Sequence, residues 1–158
     1  MSAKGFTIPE EGKLVNLLSP VDIGGVAKTS DYFNLKNASH VDILITCGAI
    51  TNAATITVEE SDDNAGGTTT AIGFDYYAYG AADDTPGTRT TVANTGFSTG
   101  TTNGVMFVIS IDASQLTDGY PYLVVKATNA AANVIAMVAV LSGVRYVTPN
   151  DGGPTSLT

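Results

Sequence analysis

Four segments of this chain alternate apolar and polar residues with a period of two, which is the spacing of a half-buried β-strand. HVDILITCG (40–48) puts Val41, Ile43, Ile45 and Cys47 on one face and Asp42, Leu44 and Thr46 on the other. ATITVEE (54–60) turns Ile56 and Val58 inward and Thr55, Thr57 and Glu59 outward. GVMFVISID (104–112) aligns Val105, Phe107, Ile109 and Ile111. YLVVKAT (122–128) aligns Leu123, Val125 and Ala127, with Lys126 on the opposite face. The stretches between these segments carry turn chemistry: SDDNAGG (61–67), DDTPG (83–87), STGTTNG (98–104) and TNAAAN (128–133). Short strands at this spacing predict an all-β fold, an antiparallel sandwich or barrel.

A fifth segment, NVIAMVAVLSGVRYV (133–147), is apolar on both faces up to Ser142. Val134, Ala136, Val138 and Val140 share one face; Ile135, Met137, Ala139 and Leu141 share the other. A membrane helix needs about 20 apolar residues in a row. This run is closed too early by Ser142, Gly143 and Arg145. A buried helix is compatible with Ala, Met and Leu, but the β-branched content and the β-rich context favour a strand. Antiparallel sheets usually leave one face to water, so a strand apolar on both faces predicts a cover, either a loop or another protein.

Residues 1–20 read as an extended N-terminal arm, because Gly5, Pro9, Gly12 and Pro20 interrupt regular structure while Phe6, Ile8, Leu14, Val15, Leu17 and Leu18 are apolar. The sandwich domain is expected over 21–149 and a flexible tail over 150–158. Within 65–103 strands are expected near 70–77 and 88–93, joined by a long loop of the kind that carries partner contacts. Tyr76, Tyr77 and Tyr79 crowd there. Tyrosine is enriched at interfaces, so these three, with Phe6 and Ile8 of the arm, are the candidate partner-contact residues. The competing reading is that one or two of the tyrosines close the end of the core.

Charge and motifs narrow the function. The net charge is −8, and the seven basic residues Lys4, Lys13, Lys28, Lys36, Arg89, Lys126 and Arg145 are scattered, which argues against a nucleic-acid partner. The N-terminus shows no secretory signal, and no lipidation motif is present. With one cysteine, Cys47, no internal disulfide forms, and on the apolar face of its strand it reads as a small buried hydrophobe. His40 is the single histidine, so any hydrolytic device rests on it; it reads as a capping or exposed residue. Asp62–Asp63 and Asp83–Asp84 lack the spacing of a calcium loop and read as turn residues, with a weak ion site as the alternative. Glu59 and Glu60 are adjacent on a strand and face opposite sides, which rules them out as an acid/base pair. No phosphate loop, CxxC, HExxH or GxSxG occurs, and the expectation is a protein that is no enzyme, with no cofactor and no metal.

A family resemblance adds to this. DYFNLKNASHVDILITCGAI (31–50), ATITVEESDD (54–63), VISIDASQLTDGYPYLVVKAT (108–128) and SGVRYV (142–147) together resemble the small virion proteins of tailed bacteriophages. The shared pattern is a tyrosine and LKN before the first core strand, a TITVEES strand, an I-D-x-x-x-L turn and a terminal RY. It spans most of residues 30–147; the arm (1–29) and the loop 76–104 match least. The resemblance implies an antiparallel β-sandwich with a jelly-roll-like build, and a head decoration, or cement, protein bound to the outside of a capsid. It further implies the major capsid protein as partner, a homo-oligomer (dimer or trimer), no membrane, and residence on the virion after a period in the host cytoplasm. A tail or baseplate module that binds a receptor or glycan is the alternative.

Overall fold

The structure, a computed structural model, describes residues 8–128 and 132–143. Phe6, the Arg145–Tyr146 pair and the tail 150–158 lie outside the described residues. A single helical turn, α1 (Ile8–Glu11), precedes the strands β1 (Lys13–Asp22), β2 (Lys28–Thr29), β3 (Phe33–Asn34), β4 (His40–Ile50), β5 (Thr55–Ser61) and β6 (Thr69–Ile72). Then come β7 (Phe74–Tyr79), β8 (Thr90–Val92), β9 (Phe97–Ser98), β10 (Met106–Asp112), β11 (Tyr122–Ala127) and β12 (Asn133–Ser142). A 3-10 turn at Ala113–Gln115 follows β10.

These strands form two antiparallel sheets. The front sheet runs β1-β12-β4-β10-β7-β8 and the back sheet β2-β11-β5-β6. In the back sheet β2 and β3 share one edge of β11, pairing with its two ends. In the same way β6 and β9 share one edge of β5. Chain-adjacent strands such as β4 and β5, or β10 and β11, fall in opposite sheets, and this crossing pattern is that of a jelly roll with β7 and β8 added at one edge. The fold is therefore all-β, as the alternation requires.

The alternation is realised residue by residue. Val41, Ile43, Ile45 and Cys47 of β4, Ile56 and Val58 of β5, and Phe107, Ile109 and Ile111 of β10 are all buried. They meet Leu123, Val125 and Ala127 of β11 and Ile135, Met137, Ala139 and Leu141 of β12. An aromatic cluster closes one end of this core. Phe97 of β9 stacks on Tyr76 of β7 with ring centroids 4.2 Å apart, and packs against Phe107 at 4.9 Å and Phe74 at 6.1 Å. Gly96 makes that approach possible: its φ is +75° and an added Cβ would lie 1.9 Å from the Ile56 carbonyl oxygen.

One sequence expectation is corrected here. Residues 13–20 fall in the arm (1–20) expected to lack regular structure, yet with Val21 and Asp22 they form β1, which pairs with β12 along its length. Pro20 is tolerated because β1 is an edge strand and its register shifts between Leu18 and Val21, so no ladder hydrogen bond is asked of it. Gly12 lies just before the strand, where its main-chain N–H closes α1 on Ile8 O at 2.8 Å. The doubly apolar run 133–142 is a strand, with no helix among the described residues long and apolar enough to cross a membrane.

Candidate functional site

The register of the front sheet arranges its outer face in rows. Cross-strand neighbours on one face approach within about 5 Å at Cβ, so each row is a continuous strip. One row holds Val138 (β12), Leu44 (β4), Val108 (β10) and Tyr77 (β7). The next holds Ala136, Thr46, Met106 and Tyr79 on the same four strands. On the other side lie Leu14 (β1), Val140, Asp42, Ser110 and Asp75. Leu44, Val108, Met106, Val138 and Val140 are only half-buried, and Leu14 is 51% exposed. The two sheets account for all twelve strands, so among the described residues no third layer of strands lies over this face.

The apolar strip ends in a polar cluster. His40 begins β4 opposite Asp112 of β10. Its Nδ1 lies 2.7 Å from Asp112 Oδ1, its Nε2 3.2 Å from Asp42 Oδ1, and Ser110 Oγ 3.2 Å from Nε2. Burial lowers the imidazole pKa, but the hydrogen bonds to Asp112 and Asp42 and their charges outweigh it, and the net shift is upward from 6.5. Beside this group, Asp75 accepts hydrogen bonds from Thr91 and Arg89, which hold its carboxyl below the usual range.

Ser110, His40 and Asp112 stand in the sequence of contacts of a hydrolase triad, but the chemistry differs. A general base needs a free lone pair on Nε2. Here a second carboxylate, Asp42, faces that nitrogen, and two carboxylates together favour the imidazolium, which has no lone pair to offer. Among the described residues no group of three or more His, Cys, Asp or Glu is placed to hold a metal ion.

The other candidates resolve individually. Tyr76 points inward and belongs to the core; Tyr77 and Tyr79 lie on the outer face. Ile8 is half-buried in α1. Asp63 spends Oδ1 on the main-chain N–H groups of Ala65 and Gly67 at 2.9 and 2.8 Å, and Asp62 Oδ1 accepts from Thr68 N–H. The Gly67 and Ala65 bonds hold the Asp63 carboxyl below its ordinary range. Asp83 Oδ1 accepts from Thr85 N–H. Both acidic runs are thus used as turn caps. Cys47 is 4% exposed and burial pushes its thiol up to about 11. Glu60 faces inward, 3% exposed, and its Oε2 accepts the Thr117 N–H at 2.8 Å, anchoring the loop before β11.

Sequence reasoning placed Asp42, Leu44 and Thr46 on one face but left Leu44 out of the candidate contacts. The signal was present: a leucine at a solvent-side position of a clean alternation. The company of His40 was not readable, since Ser110 and Asp112 are brought to it by the β4–β10 register from about 70 positions away.

No protein-family model matches the chain, and no curated protein does. Among solved structures it is similar to the SPBc2 prophage-derived protein YomS, at 15% identity and a TM-score of 0.49, over 84% of this chain and 94% of that one. A likeness of that degree says nothing of what this chain does.

Proposed function

We propose that this chain is a structural virion protein that binds the outside of a phage capsid and stabilises the shell. The observation that carries the reading is the outer face of the front sheet. It presents an unbroken apolar row across four strands, Val138, Leu44, Val108 and Tyr77, which suits contact with another protein. The motifs behind the resemblance agree with a scaffold role. TITVEES is β5, and the Ile111–Asp112–Leu116 turn is the end of β10 with its capped 3-10 turn, in which Gln115 Oε1 accepts the Asp112 N–H at 2.8 Å. A negative surface keeps such a protein soluble before assembly.

In this reading the partner is the major capsid protein, contacted by residues 1–12, with Phe6 and Ile8, and by the loop 80–89 beyond Tyr79. Many equivalent shell sites make a weak single contact effective through avidity. The chain acts mechanically, without cofactor or turnover, on the virion exterior. The test is co-sedimentation with expanded, undecorated shells. Saturable pelleting that weakens on deletion of residues 1–12 is expected. A chain that stays in the supernatant contradicts the function; undiminished binding by the deletion contradicts the assignment of contacts.

A further inference from the structure

We propose that two copies of this chain pack face to face through the outer face of the front sheet. This goes beyond shell binding: it gives the same outer face to a second copy and leaves residues 1–12 and the loop 80–89 to the shell.

The size of the face fits. Five strands at about 4.8 Å spacing, and residues at about 3.3 Å rise over the span of 134–140, give a face of roughly 24 by 20 Å, with the apolar row on four strands and Leu14 and Asn16 of β1 on the fifth. That is about 500 Å² per copy and about 1,000 Å² for two, the lower bound of a specific interface. A patch of that size is at the upper end of what a monomer leaves exposed.

The register also makes the face self-complementary. A two-fold axis along the strands would bring Asp42 and Asp75 of one copy onto the same residues of the other, and like charges so placed repel. An axis across the strands, through the Val138–Leu44–Val108–Tyr77 row, avoids this. Leu44 and Val108 then fall on their own symmetry mates, as an isologous interface requires. The Asp42 and Asp75 row of each copy meets the Thr46 and Tyr79 row of the other, so hydroxyl donors face carboxylate acceptors. Val140 meets Ala136, a larger residue against a smaller one. The outer face of the back sheet has no such strip: Lys126 Nζ pairs with Glu59 Oε2 at 2.6 Å among Thr55, Thr57 and Tyr122.

The pairing is apolar between two acidic molecules, so added salt screens their repulsion and tightens it. A basic partner on the same face would be weakened by salt.

Sedimentation velocity on the full chain tests this, from about 1 to about 200 μM, a range that brackets the micromolar affinity of a small interface. The expected result is a monomer–dimer transition that shifts to lower concentration with salt. Leu44→Lys should weaken the dimer by about 100-fold or more, since it buries two facing charges. The control Thr57→Lys on the back sheet should dimerise as the parent does. A chain monomeric throughout overturns the proposal, its face being covered by its own undescribed residues or by another partner. So does a folded Leu44→Lys that dimerises undiminished. Should Leu44→Lys fail to fold, Val108→Cys decides: facing sheets lie about 10 Å apart, so a short bis-maleimide that spans two thiols is expected to give a cross-linked dimer, and only monomer overturns the proposal. Shell co-sedimentation of the same samples separates the two readings. A dimer that ignores shells contradicts decoration alone; a monomer that pellets with shells contradicts the dimer alone.

Discussion

The two sheets of this sandwich have matching inner faces and opposite outer ones. On the back sheet the outward positions of β5 and β11 are Thr55, Thr57, Glu59, Tyr122, Val124 and Lys126. The valine there is fully buried beside the Glu59–Lys126 pair, so it takes no part in an open apolar strip. On the front sheet the outward positions of β4, β10 and β12 include Leu44, Met106, Val108, Val134, Ala136, Val138 and Val140, with His40, Asp42, Ser110, Asp112 and Ser142 gathered at one end and Thr46 at the other. Folding alone needs only the inner faces. In the proposed reading the front sheet's open apolar row is the surface a neighbour covers, while the back sheet presents an ion pair and hydroxyls.

The shared interior is the first place to separate the two faces, and it carries the largest effect. Phe97 joins the sheets, since it sits on β9 of the back sheet and stacks on Tyr76 of the front one. Phe97→Ala should cost about 3–5 kcal/mol in urea denaturation, as for other buried aromatics. A loss under about 1 kcal/mol would mean that the sheets do not depend on this contact. Next in size is Glu60. Its replacement by Ala strands the Thr117 N–H and should cost about 1–3 kcal/mol, while Glu60→Gln, which keeps an acceptor, should recover most of it. Equal losses in the two variants would show that the hydrogen bond is immaterial.

A smaller effect marks the polar end of the front sheet alone. The folded-state pKa of His40 is raised above 6.5 in the presence of Asp42 and Asp112. Its contribution to stability is therefore fully present below about 6.5 and is lost as pH rises through the raised value. Thermal melts across that window should fall with pH in the parent and flatten in His40→Asn. Asp75 acts in the opposite sense: its depressed pKa contributes stability above 3.8 that is lost as pH falls through the lowered value. A parent profile no steeper than that of His40→Asn would remove the cluster from the account. The smallest effect belongs to the back sheet's ion pair. Lys126→Ala should cost about 0.2–1 kcal/mol and less in high salt, because Lys126 is 37% exposed.

Much of this contrast could be read before any coordinates. The inward sets of β4, β5, β10, β11 and β12 follow from alternation, because one buried face of a pleated strand admits only every second residue. Alternation also shows that 133–142 is apolar on both sides. Three things were hidden, each for a physical reason. β1 was obscured by Pro20, whose breaker character does not apply at a bulged edge. Tyr76 was grouped with Tyr77 and Tyr79, although a strand from Phe74 turns the first inward and the other two outward; the start of β7 could not be fixed from a segment with so many small residues. The His40 cluster depends on strand register across about 70 residues, which local spacing does not encode.

The central claim is that the front sheet's outer face is covered by a neighbour and the back sheet's is not. Thiol labelling tests it most directly, since native Cys47 is buried and its thiol is pushed up to about 11, giving little background. Under reducing conditions, Val108→Cys should react with a maleimide more and more slowly as protein concentration rises, while Thr57→Cys should react at one rate throughout. Equal, concentration-independent rates at the two positions would contradict the account.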